Sequence, residues 1–262
     1  MIINSRLLSR LIATATALAL IPASLQATGR LIQLGTLSSL VQGVYDGSMP
    51  MDTVQRPEGF GLGTFEHLDG EMLVIDGVVY RVAVDGKVNK PSADSMIPFA
   101  CVSVLDDADV NEEIGAAASK AELEKLLKAK LPSLNYPSLI VIEGEFDMMT
   151  TRSVPAQQKP YPTLAEVVAE GQKVFELGAQ KGTIVAFYCP SSFAGLNAPG
   201  FHFHFLNEAR DAGGHVLDLA LKSGTLQIQT LTSYQLILPP LESAFAGSDL
   251  EPTEAPAKVQ GE

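Results

Sequence analysis

The chain has no tryptophan, only two cysteines and only four histidines in 262 residues, and its 18 lysines and arginines are outnumbered by 30 aspartates and glutamates. Each shortage removes a class of protein. Cys101 and Cys189 are too few for a disulfide framework, and without C-x-x-C spacing they make neither a redox pair nor a zinc knuckle, which leaves a single bridge as the one disulfide to consider. A net charge of -12 with no basic cluster argues against nucleic acid, because phosphates are held by lysines and arginines gathered on one face. An anionic small substrate would need a local cation or a metal instead. Beyond residue 21, no apolar run approaches the roughly 20 residues that a membrane-spanning helix requires.

What is present is apolar material, 46% of the residues, enough to bury a core in one large domain or two smaller ones. At the N-terminus Arg6 and Arg10 precede an apolar run from Leu11 to Ile21, and Pro22-Ala-Ser follows. That order of charged, apolar and small residues predicts a secretory signal peptide over 1–27 and hence a secreted or periplasmic protein, the cytoplasm being the alternative. Cleavage after Ala27 would put Leu25 where a small residue is usual, so the pattern does not define the cut.

Periodicity predicts the elements. Residues 31–46 show helical spacing in Leu34, Leu37, Leu40, Val41 and Val44, up to Gly47. "GLGTFEHL", "EMLVIDG" and "VVYRVAV" predict an antiparallel meander with a two-residue turn at Asp76-Gly77. "PFACVSVL" reads as a strand, residues 111–132 contain a charged-face helix ended by Pro132, and "SLIVIEGEFDMMTTRSV" returns to strand. A second amphipathic helix is predicted over 163–178, with Gly178 at its C-cap. Strands "GTIVAFYCP" and "GFHFHFL" follow, then residues 213–231 as a hairpin turning at Lys222 to Gly224. Helix then meander occurs twice, and aligning residues 69–82 with 213–228 places Glu71 opposite His215. The expectation is an α/β protein of two similar domains, 28–160 and 161–242, each a mixed or antiparallel sheet with flanking helices. An acidic tail follows at 243–262.

Three of the four histidines fall in "PGFHFHFLNEARDAGGHVLD". Strand alternation sends His202 and His204 to one side and Phe201, Phe203 and Phe205 to the other. The polar stretch after His204 is long enough to turn back and set His215 beside the pair. Three imidazoles with an open fourth position are the ligand set of catalytic zinc, and other first-row divalent ions fit it too. A lone strand histidine is usually a surface or hydrogen-bonded residue, and His67, in "FEHLDGE", reads as an ordinary solvated one. Asp69 and Asp76 read as turn residues, and Cys189 as a buried strand thiol.

With "QGVYDG", "GLGTFEHLDGEMLVIDGVVYRV", "TRSVPAQQKPYPTLAEV" and the histidine segment together, the sequence resembles the alpha-acetolactate decarboxylase family over most of its length. The resemblance implies a two-domain α/β enzyme, usually a homodimer, that converts 2-acetolactate to acetoin and carbon dioxide. It implies Zn2+ on His202, His204 and His215, with Thr64, Glu71 and Arg152 lining the pocket. The family also returns a tail glutamate from a "KVEG" end to the active site. Here the tail reads "KVQGE", so Gln260 stands at that position and Glu254 or Glu262 are the candidates to replace it. A non-catalytic metal or small-ligand module that kept the triad is the competing expectation. A cupin-like oxygenase fits less well, because its third histidine does not follow Gly-Gly.

Overall fold

The structure is a computed structural model and describes residues 29–250. The expected signal peptide over 1–27 and the tail positions Glu254, Gln260 and Glu262 lie outside the described residues. Two sheets carry the fold. The first contains β1 (Arg30–Leu34), β3 (Gly59–Thr64), β4 (Glu71–Ile75), β5 (Val78–Val82), β6 (Val88–Asn89), β8 (Phe99–Val104) and β15 (Ser233–Ile237), in the order β15-β1-β8-β3-β4-β5-β6. The second contains β9 (Val110–Ile114), β10 (Ser138–Ser153), β11 (Lys173–Glu176), β12 (Gln180–Cys189), β13 (Gly200–Asn207) and β14 (Gly213–Thr230), in the order β11-β10-β12-β13-β14-β9. A small ribbon pairs β2 (Met49–Pro50) with β7 (Met96–Ile97), and the helices are α1 (Leu37–Val41), α2 (Lys120–Lys130), α3 (Leu164–Gly171) and α4 (Ala244–Gly247). This is the mixed α/β architecture that the sequence predicts.

β10 is bonded to β12 along one edge and to β14 along the other, so β10, β12, β13 and β14 close on themselves. Apolar residues fill both faces. Leu62, Leu73 and Cys101 of the first sheet meet Val141, Val185 and Phe187 of the second. Phe203, Phe205 and Ile228 pack on the far side against Leu123 and Leu127 of α2. Each such side chain contributes about 1.5–3 kcal/mol by leaving water. Met72, Val74 and Val102 cover the outer face of the first sheet together with Met49 and Met51. Among the described residues no helix is long and apolar enough to cross a membrane.

Three expected elements differ. Residues 31–46 are not one helix: β1 pairs with β8 and β15, and Gly35, at φ 66° and with the Pro98 carbonyl where a Cβ would sit, turns the chain into the short α1. Sheet pairing overrides a helical spacing whose apolar residues serve a strand and a helix in turn. The helix expected over 163–178 stops at Gly171, and the next residues extend as β11 along Thr150–Ser153 of β10. Gly178 turns the chain from β11 to β12 rather than capping a helix. The hairpin expected at Lys222 to Gly224 is one unbroken 18-residue strand, β14, which runs through those residues opposite Gly144 and Glu145 of β10 with register shifts beside them. A Ser-Gly pair suits such an irregularity as well as a turn. The Asp76-Gly77 turn is as expected, both residues having positive φ. Sheet membership crosses the expected boundary at residue 160 in both directions, since β9 and β10 join the second sheet and β15 joins the first.

Candidate active site

Strand alternation in β13 buries Phe201, Phe203 and Phe205 in the α2 core and turns His202 and His204 to the opposite face. His204 lies directly opposite His215 of β14, and His215 directly opposite Arg152 of β10. Residues paired across a sheet share a face, so one row carries His204, His215 and Arg152. The ladder reaches this register through an irregularity: Thr150 pairs with Asp218 but Thr151 pairs with Val216, leaving Leu217 as an extra residue. Without it Arg152 would face Val216, a core residue, instead of His215. Gly213 and Gly214 bring β14 in closely. A Cβ on Gly213 would meet the Phe205 carbonyl at 2.3 Å, and one on Gly214, at φ 131°, the Arg152 carbonyl at 2.4 Å.

The first sheet supplies the opposite wall. Thr64 and Glu71 pair across β3 and β4, and the Thr64 hydroxyl donates a 2.7 Å hydrogen bond to the Gly70 carbonyl. The next carbonyl but one, that of Met72, accepts from Nδ1 of His204 at 2.8 Å. Ser153, beside Arg152, donates to the Val82 carbonyl at 2.8 Å and ties β10 to β5. Thr64, Glu71, Arg152, His202, His204 and His215 thus line one narrow cavity, with a free interior of about 50 Å³. The three histidine rings have centroids 5.0 to 5.3 Å apart, and one ring nitrogen of each lies within 4.8 Å of the others. Glu71 Oε2 is 3.5 Å from His204 Nε2. His67 stays outside this cluster, exposed, with Nδ1 2.5 Å from the Tyr161 hydroxyl.

Comparison with known proteins decides the family. The sequence profile described as alpha-acetolactate decarboxylase matches residues 31–252. The chain belongs to the alpha-acetolactate decarboxylase family. It is 40% identical over 220 residues to the alpha-acetolactate decarboxylase of Methanosarcina mazei, covering 84% of this chain and 75% of that protein. It is 34% identical to that of Bacillus subtilis strain 168, covering 87% and 92%. The crystal structure of the Bacillus subtilis strain 168 protein superposes with a TM-score of 0.81 over 86% of this chain and 95% of that one. Its relatives in the family are carboxy-lyases, and this chain is an enzyme of that class.

This cavity is built for neutral imidazoles and a proton-holding carboxyl. Burial is the main cause that holds all three histidines below their ordinary pKa, His204 at about 4, with the nearby cations Arg152 and Lys120 adding to it at His202 and His215. Neutral imidazole is the form that ligates a metal. Burial also pushes the Glu71 carboxyl up to about 7 against the opposing pull of Arg152.

A metal ion fits these residues. A carbonyl oxygen only accepts, so His204 Nδ1 carries the proton given to Met72 and Nε2 presents its lone pair. That Nε2 is buried with no hydrogen-bond partner, while Nε2 of His202 and Nδ1 of His215 lie 3.1 Å apart in the same cluster. A second group of possible ligands, Asp46, Glu66 and His67, is already engaged: Lys159 and Tyr161 hold both oxygens of Asp46.

Sequence reasoning missed three parts of the site. The Met72 carbonyl has no side-chain signature. Gln172, which accepts from Arg152 Nη1 at 3.4 Å, was hidden inside the expected helix. Leu37, Leu40, Val154, Leu164 and Val168 form an apolar side of the cavity and read in the sequence as ordinary core residues. Cys101 and Cys189 are free buried thiols rather than a bridge, and Asp69 pairs with Arg81.

Proposed function

We propose that this enzyme decarboxylates 2-acetolactate to acetoin and carbon dioxide with Zn2+ held by His202, His204 and His215. Family membership supports the reaction class, and the observation that carries the assignment of roles is Arg152. The residue is 5% exposed, its Nε is buried with no hydrogen-bond partner, and it lies one sheet position from the triad. A buried cation with unused donors is suited to an anionic ligand, and the planar fork matches a carboxylate. When bound, zinc would supply Lewis-acid polarisation of the substrate's ketone and hydroxyl oxygens.

Arg152 holds the carboxylate, and so orients the bond to be broken. That bond's electron pair stays with the carbinol carbon and spreads into the neighbouring carbonyl as carbon dioxide leaves, producing an enediolate. Glu71, across the cavity, delivers a proton to that carbon from one side, which makes the product stereoselective. Thr64 holds the Gly70 carbonyl and with it the start of β4, from which Glu71 projects. The apolar residues opposite exclude water from the reacting carbons.

Racemic 2-acetolactate with purified protein should yield acetoin, chelation should abolish the yield, and added zinc should restore it. Zinc and substrate binding without any acetoin would convert the reading to a ligand-binding module. Export and a homodimer belong to the same reading, supported by the charged and apolar N-terminal order and by the resemblance. N-terminal sequencing of the mature protein and light scattering test them; an intact Met1 in the cytoplasmic fraction and a monomer would overturn each.

A further inference from the structure

The proposed reaction uses only half of the cavity. The carboxylate, hydroxyl and ketone oxygen of the substrate account for Arg152 and the histidine side, while its two methyl groups need somewhere dry. The remaining wall is hydrocarbon: Val154, just after β10, and a helical side made by Leu37 and Leu40 of α1 and Leu164 and Val168 of α3. We propose that the helical side of this wall, with Val168 as its least adaptable member, sets the largest alkyl group that the substrate can carry on its carbinol carbon. This rests on the reading of the site as a 2-hydroxy-3-oxo acid decarboxylase and adds which residues define the acceptable members of that class.

The wall is held too firmly to recede. Backbone amides of Leu37 and Ser38 donate 2.9 Å hydrogen bonds to the carbonyls of Leu196 and Gly195, in the loop that runs directly into the histidine-bearing β13. That anchor spans α1 and the strand of the triad, so it fixes the separation between the apolar wall and the ligands. α1 also has a reciprocal Thr36–Ser39 cap, α3 a Thr163–Glu166 cap, and the two helices pack together. Leucine can answer crowding by changing rotamer, whereas a β-branched valine on a helix is confined to essentially one. Val167, its neighbour in α3, is also buried in the core but does not line the cavity. It is a built-in control for general loosening of the helix.

The test compares kcat/KM for 2-acetolactate with that for its homologue bearing ethyl on the carbinol carbon, in wild type, Val168→Ala, Val168→Ile and Val167→Ala. The ratio of the two substrates cancels any loss of folded enzyme. Val168→Ala should raise the ethyl-to-methyl ratio about 10-fold or more and Val168→Ile should lower it by a similar factor, since one methylene in an apolar pocket is worth roughly 10- to 200-fold. Val167→Ala should leave the ratio within about twofold. An unchanged ratio in Val168→Ala, or an equal change in both alanine variants, would overturn the proposal. Calorimetric Kd values for the unreactive 2,3-dihydroxy acids bearing methyl or ethyl separate it from the reading beneath it. If the Kd ratio shifts on Val168 substitution while neither keto acid is decarboxylated, the wall stands and the decarboxylase reading falls. If turnover is normal and neither ratio moves, the wall falls alone.

Discussion

Replacing Thr64 by valine keeps the shape of the side chain and removes the hydroxyl that donates 2.7 Å to the Gly70 carbonyl inside the protein. Thr64 is 4% exposed, so water cannot substitute for the lost donor. A net hydrogen bond is worth about 1 kcal/mol, and leaving the buried carbonyl without this donor brings the loss to about 1–3 kcal/mol. For a chain of this size each kcal/mol moves Tm by roughly 2–4 °C, so a loss near 2 kcal/mol lowers Tm by roughly 4–8 °C. Thr64→Ser keeps the donor and deletes one methyl, a loss of about 0.8 kcal/mol, and its Tm should lie between the other two. Gly70 precedes Glu71, so the valine variant should also lose kcat, up to roughly 100-fold if the carboxyl moves by about an ångström, while serine largely restores it. Calorimetric melting and steady-state acetoin production on the three proteins make the assay. A serine variant as unstable and as slow as the valine one would refute the reasoning, because the hydroxyl would then have no special part.

Other substitutions probe the rest of the site. Zinc at about 100 times its Kd should stabilise the metal-free protein by about 2.7 kcal/mol, seen as a higher Tm, and His204→Gln should abolish the gain along with bound zinc measured by mass spectrometry. Arg152→Lys keeps the charge but not the planar fork, and kcat/KM for 2-acetolactate should fall about 10- to 100-fold; a wild-type value would remove Arg152 from carboxylate binding. Gly214→Ala forces a Cβ to within 2.4 Å of the Arg152 carbonyl at a φ of 131°, so urea unfolding should register a loss of about 2–4 kcal/mol. Asp46 is held below its ordinary pKa of 3.8: burial opposes ionisation, but hydrogen bonds from Lys159 and Tyr161 outweigh it. Its contribution is therefore complete above about pH 4 and is lost as pH falls through the lower folded value. Asp46→Asn should cost at most about 1 kcal/mol at pH 7, given the exposure of Lys159, and the gap should close in acid. Urea midpoints at pH 7 and pH 3 would reveal a gap that widens instead.

Much of the site is legible along the chain because it follows from local rules. H-x-H on a strand points both imidazoles one way whatever the strand packs against. The polar stretch after His204 is long enough to turn back, and the structure sets His215 directly opposite His204. The meander from β3 to β5 and its Asp76-Gly77 turn are local too. The errors all occur where local preference was ambiguous and distant pairing decided. Residues 31–34 and 173–176 carry helical spacing but find strand partners, β8 and β15 for the first and β10 for the second. The Ser223-Gly224 step looks like a turn and is carried through by β10 and β9 on its two sides.

The sequence by itself determined the shared face of His202 and His204, the return of His215 and the family resemblance, because each depends on residue identity and short-range geometry. Only the tertiary structure decided that Arg152 faces the triad, since this depends on one extra residue, Leu217, in the ladder between two strands more than sixty positions apart in sequence. It likewise decided that the carbonyl of Met72, on the other sheet, fixes the His204 tautomer. Register and backbone acceptors across sheets arise from packing between distant segments, and a linear pattern does not encode them.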